Sequence, residues 1–238
     1  MAPRVKPLAP RVKASSAGEH HLGEVKRFQL GVLAFLSIGV ALVAPVPWLF
    51  GLIESDGGSG LVDHLLGSYT ANRVLFLTHV IGGAIALLTG PWQLMPRLRA
   101  RRPRLHRATG YIYVTAVALA GIAALAMARA AWPGPVAQLG FGALAVAWLA
   151  TTGIGLQLIV SGNRAGHREW MMRSFALAFA AVNLRLTYMP LVLAGVDEAV
   201  AYQIVAWASW VPNLIVAQLI ISRRRTSMVS PRGLHAAS

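Results

Sequence analysis

Apolar residues gather into six long runs, at 28–51, 73–95, 110–132, 136–160, 170–195 and 199–221, divided by short polar stretches. Each run reaches the roughly 20 residues that a helix, rising about 1.5 Å per residue, needs to cross about 30 Å of hydrocarbon. The pattern predicts an all-α polytopic membrane protein: a polar basic tail at 1–27, a six-helix transmembrane domain at 28–221 and a second basic tail at 222–238. The segment WPGPV, 132–136, predicts a tight hairpin between spans three and four, since Pro and Gly end helices and set turns. Pro190 and Pro212 are candidate kinks in spans five and six.

Composition agrees with this division. Of 238 residues, 56% are apolar and 13% charged, too apolar a balance for a soluble domain of this size. The formal charge of +14 is informative through its placement. Arg4, Lys6, Arg11, Lys13, Lys26 and Arg27 precede span one; six arginines fill PRLRARRPRLHR between spans two and three. Arg164 and Arg168 lie between spans four and five, and Arg223, Arg224, Arg225 and Arg232 follow span six. The alternate connections hold Glu54, Asp56, Asp63, Asp197 and Glu198. Positive-inside alternation of this kind places both termini in the cytoplasm, in a bacterial inner membrane, and assigns the basic residues to orientation and anionic headgroups. It gives no support to nucleic-acid binding. Pro45 after Ala44, with Leu42 where a small residue is required, argues against signal cleavage, so span one reads as a retained anchor. The absence of cysteine excludes disulfides, thiolate metal sites and a thiol nucleophile. No phosphate loop, G-x-S-x-G or H-E-x-x-H motif is present, and GGSG at 57–60 reads as a flexible connection.

A weak internal repeat runs through the middle of the chain. RPRLHRATGYIYV opens span three and NRAGHREWMMRSF opens span five, each with a His-Arg pair, His106–Arg107 and His167–Arg168. Pro103 suits a first helical turn, and Asn163 or Gly166 suits a cap. Spans two to five are therefore expected to form a four-helix core of two hairpin repeats, with spans one and six flanking it. THVIGGAIALLTGPWQ, RLHRATGYIYV, the Gly-rich fourth span and GHREWMMRSFALAFAAVNLRL resemble a bacterial family of predicted membrane proteins defined by a domain of unknown function (number 2306), over roughly residues 70–215. The resemblance implies a fold and a set of positions and carries no reaction.

Candidate chemistry centres on two residues inside the spans. His79 lies in an uncharged run, and residues 79, 83, 86 and 90 form a His, Gly, Ala, Gly stripe at helical spacing, expected on a packed face. Residues 174, 178, 181 and 185 repeat the spacing in span five as Ser, Ala, Ala, Arg. Counted from the cytoplasmic ends, His79 and Arg185 both lie about 22–24 Å up, so they share a level if the two faces meet. No Asp or Glu occurs inside the six runs, which leaves helix carbonyls, interfacial water or an oxygen-bearing ligand to satisfy Arg185. The plain structural alternative is that His79 bonds a neighbouring carbonyl and Arg185 snorkels. A second set, His106, His167, Arg107, Arg168 and Arg173, stands at helix N-termini and is a candidate anion site, against the alternative of interface anchors beside Trp92 and Trp170.

Three functions fit these residues. One is a redox-type subunit holding haem b or quinone, with His79 or the His106/His167 pair as ligand and arginines for propionates or quinone oxygens. Another is a carrier of lipid or anionic solute, and the third a non-catalytic scaffold for other membrane subunits.

Overall fold

The computed structural model describes residues 16–54 and 60–229. The expected tail positions 1–15 and 230–238, with Arg4, Lys6, Arg11, Lys13 and Arg232, and Asp56 in the first loop, lie outside the described residues. The described chain is helical throughout, in the order α1 (Ser16–Val43), α2 (Val46–Leu49), α3 (Leu61–Ala71), α4 (Arg73–Gln93), α5 (Pro96–Arg101), α6 (Pro103–Ala128), α7 (Pro135–Val160), α8 (Arg164–Ala178), α9 (Ala180–Leu193), α10 (Glu198–Ala208) and α11 (Val211–Val229). Six segments are long and apolar enough to cross a membrane: Phe28–Leu49, Arg73–Gln93, Pro103–Ala128, Pro135–Val160, Arg164–Leu193 and Glu198–Thr226.

Local chemistry sets these boundaries. Pro96, Pro103 and Pro135 occupy first-turn positions, where a missing N–H costs nothing. Asn72, Asn163 and Asp197 cap α4, α8 and α10 through their side-chain oxygens. Spans three and five accordingly begin at Pro103 and Arg164, inside the basic turns and earlier than the apolar runs at 110 and 170. The helix of the first span begins at Ser16, so part of the expected 1–27 tail is helical, and α11 runs on to Val229 in the expected tail at 222–238. The acidic loop before span two contains α3, a helix too short to be read as a span.

Two spans are discontinuous. Span five breaks at Phe179 between α8 and α9, and span six at Ser209–Trp210 between α10 and α11. Pro212 lies just beyond the second break, whereas Pro190 lies inside α9 without ending it. A polar clasp joins the breaks: the Asn183 amide donates to Asn213 Oδ1 (2.5 Å), and the Asn213 amide donates to the carbonyls of Ala176 (3.2 Å) and Ser209 (3.0 Å).

The packing differs between the two ends of the bundle. The end bearing α5 and the starts of α6 and α8 is called here the basic face; the opposite end, with α2 and α3, is the distal face. Toward the basic face α4 packs on α6, α6 on α7 and α7 on α8, with α4 also touching α8. Toward the distal face α10 packs on α7 and α9, and α1 on α4 and α9. Helix approach in hydrocarbon relies on small residues. Gly90 faces Phe175 and Tyr113, Gly155 faces Met171, and Gly140 has the Ala206 carbonyl 2.8 Å from where a Cβ would stand. Buried hydroxyls bind α6, α7 and α8 together. Thr152 donates to the Trp148 carbonyl (2.8 Å) and lies 2.7 Å from Ser174 Oγ, which lies 2.8 Å from the Tyr113 hydroxyl. Every proton is satisfied if Tyr113 donates to Ser174 and Ser174 to Thr152, so the chain ends on a carbonyl and closes as a structural clasp.

One register differs from the sequence expectation. The face of α4 that meets α6 carries Gly82, where a Cβ would lie 2.9 Å from the Ala120 Cβ and 3.0 Å from the Ala116 carbonyl; Gly83 has open space there. Gly82→Leu is therefore expected to destabilise the bundle by about 3 kcal/mol or more through overpacking, while Gly83→Leu keeps wild-type stability within about 1 kcal/mol. Thermal unfolding in detergent, followed by size exclusion, checks the contrast.

Candidate functional site

Asn72 caps the start of α4, accepting from the Leu75 N–H at 3.1 Å, and this fixes the helix that carries His79. Two turns in, His79 Nδ1 lies 3.2 Å from the Ala120 carbonyl of α6. A carbonyl only accepts, so Nδ1 carries the proton and neutral His79 presents Nε2 as an acceptor. The neighbouring-carbonyl alternative for His79 is thus observed, and it leaves one ring nitrogen uncommitted. A turn along the same face, Gly83 borders open space.

Arg185 stands across from it on α9, with one Nη donating to its own helix at Ala181 (2.8 Å). Arg185 is an exposed residue of α9. It lies within electrostatic range of both His79 and Tyr202. Sequence reasoning placed His79 and Arg185 at one level; it missed Tyr202, which sits in α10 among Trp132, Phe141 and Tyr188 at ring distances of 6.1, 5.2 and 5.9 Å. No carboxylate pairs with Arg185 among the described residues. Beneath this level Val182 closes against Ala84, Leu87 and Ala41, so the polar groups stand above an apolar floor.

Helix α3 lies over the distal end. The Leu61 N–H donates to Glu198 Oε2 (3.2 Å), the Trp132 N–H donates to His64 Nε2 (3.3 Å), and the Tyr69 hydroxyl donates to the Trp48 carbonyl (3.2 Å). Trp48, Tyr69 and Phe76 form an aromatic cluster at its far end.

The second predicted set is divided by the fold. His106 lies within electrostatic range of His167 and Arg99, with its Nδ1 buried and unpartnered. His167 Nδ1 lies 2.8 Å from the Gly155 carbonyl, which fixes its proton there too. Arg173, by contrast, turns to α11, donating to Gln218 Oε1 (2.6 Å) and stacking 4.7 Å above Trp170. Glu169 is held by Arg225 in a two-bond ion pair on that same seam. Arg107 and Arg168 are exposed. No group of three or more His, Cys, Asp or Glu side chains suited to a metal ion occurs among the described residues.

Six helices long and apolar enough to cross a membrane define a polytopic α-helical membrane protein. The chain belongs to the predicted membrane protein family DUF2306, whose profile matches residues 76–221. Neither the curated proteins nor the solved structures hold a match.

Burial holds the His64 imidazole below its ordinary value. Its contact with Trp132 is therefore intact above the free value of about 6.5 and weakens as pH falls through the lowered one, because only the neutral ring accepts. Hydrogen exchange at the Trp132 amide is expected to quicken about fivefold between pH 7.5 and 5, after correction for intrinsic rate, the equivalent of about 1 kcal/mol. His64→Phe should show the faster corrected rate at both pH values.

Proposed function

We propose that this chain is a redox-type subunit of a bacterial cytoplasmic membrane that binds a quinone head group in the distal recess. The basic face is taken as cytoplasmic, where its arginines meet anionic headgroups. The observation carrying the reading is Arg185, a guanidinium within a membrane span with no carboxylate partner among the described residues, in electrostatic range of an imidazole whose tautomer is fixed. Arg185 and the Tyr202 hydroxyl are donors for quinone carbonyls, and His79 Nε2 is an acceptor for a quinol O–H. The apolar floor suits a ring face. Haem b has less support at this level, since no second imidazole stands near His79 among the described residues. The His106/His167 pair is the place where haem would fit instead, close to the basic face.

A second reading, a carrier for lipid or anionic solute, is favoured by the paired breaks in spans five and six, because discontinuous helices border the binding sites of many transporters. The scaffold reading has no particular observation in its favour.

Quinone bound by the purified protein, extracted and quantified after reconstitution with decyl-benzoquinone, separates these. Wild type is expected to retain about one per chain, with Arg185→Gln and His79→Ala each binding about tenfold more weakly and Arg185→Lys holding an intermediate position. Failure of the wild type to retain quinone, or equal retention in Arg185→Gln, overturns the proposal. A Soret band in the reduced-minus-oxidised spectrum that survives Arg185→Gln moves the redox site to His106 and His167.

A further inference from the structure

The route into the recess bears on what it binds, and this inference rests on the quinone reading above. Around the distal half, contacts run from α4 to α6, α6 to α7, α7 to α10, α10 to α9, α9 to α1 and α1 back to α4. In that circuit α4 and α10 stand on opposite sides. Helix α3 bridges them: its first residue is fastened to Glu198 at the start of α10, its middle to Trp132 in the α6–α7 turn, and its last turn packs on Phe76 of α4. Eleven residues give it a length of about 16 Å. Its fastening at α10 is close, since a Cβ on Gly60 would lie 2.6 Å from Glu198 Oε2. Helix α3 is thus attached at both ends and between them across the distal end.

Arg185 is nevertheless accessible, and the neighbouring α9 residues Leu186, Met189 and Leu193 are exposed apolar side chains on the bilayer side. The α1–α9 contact beside them is among the sparsest in the circuit. Arg185 thus sits where the recess meets the edge of a lipid-facing strip. We infer that the recess is filled sideways from the bilayer along the α1–α9 seam beneath a closed α3 roof, so that its ligand is a membrane-dissolved molecule with a polar head and an apolar tail. A water-soluble anion would meet α3 first. Arg185 then serves at the threshold, drawing an oxygen-bearing head out of hydrocarbon, where a bare guanidinium is costly.

The chain has no cysteine, so Gly83→Cys, where a Cβ meets open space one turn from His79, introduces a single thiol. In nanodiscs, with both faces in contact with buffer, N-cyclohexylmaleimide is expected to label that thiol at least tenfold faster than a sulfonated maleimide, each rate taken relative to a free thiol in detergent solution. Adding Leu186→Trp at the seam should slow the apolar reagent at least fivefold. Adding Glu198→Ala, which loosens the roof, should raise labelling by the sulfonated reagent. Labelling by the sulfonated reagent that matches or outpaces the apolar one with the roof intact overturns the bilayer route, as does indifference to Leu186→Trp. Decyl-benzoquinone and its tail-less counterpart form the ligand arm. Tail-dependent binding supports the inferred ligand class, and equal affinity for both overturns it. Labelling as expected with no quinone bound by any protein leaves the route standing and removes the quinone reading; quinone bound while the sulfonated reagent labels first does the reverse.

Discussion

Hydrocarbon gives helices no reward for burying apolar surface, so this bundle depends on backbone approach at glycine. Where α8 enters between its neighbours, Gly90 and Gly155 admit Phe175 and Met171, and the Tyr113–Ser174–Thr152 clasp fixes the register of three helices. In the distal half the close approaches run around the circuit instead, at Gly82 against Ala120, Gly121 against Leu149 and Gly140 against Ala206. One half is filled at its centre and the other is drawn tight around its rim.

The polar groups of the recess are held by economical means. His79 uses one nitrogen on a backbone carbonyl and Arg185 uses one donor on its own helix, which leaves an acceptor and several donors on two groups within electrostatic range of each other. Tyr202 stands in an aromatic nest that limits its movement. Polar groups left without a partner at a membrane level where water is scarce bear a desolvation cost.

The six spans were legible because hydropathy and length act locally, and because the order of basic and acidic loops needs no tertiary information. The level shared by His79 and Arg185 could also be counted, from helix rise alone. Azimuth could not: two adjacent glycines, Gly82 and Gly83, fit the same spacing, and only the neighbouring helix decides which is packed. The same limit applies to Arg173, grouped with His167 by position at a helix start but turned to Gln218 by the path of α11. Helix α3 was invisible as an element because eleven residues are too few for a span and its amphipathic content resembles a loop. Asn183 and Asn213 carried a usable signal, since carboxamides inside apolar runs need partners.

The breaks at Phe179 and Ser209 have a mechanical meaning. Each interrupts the regular helix for only one or two residues while backbone bonds still cross it, the Asn183 N–H donating to Phe179 and the Leu214 N–H to Trp210, and α9 and α10 pack on each other beyond them. The carboxamides of Asn183 and Asn213 add side-chain bonds across the two breaks. The two upper half-helices thus form one packed unit, seated on α7 where Gly140 admits Ala206, so Arg185 and Tyr202 share a common frame.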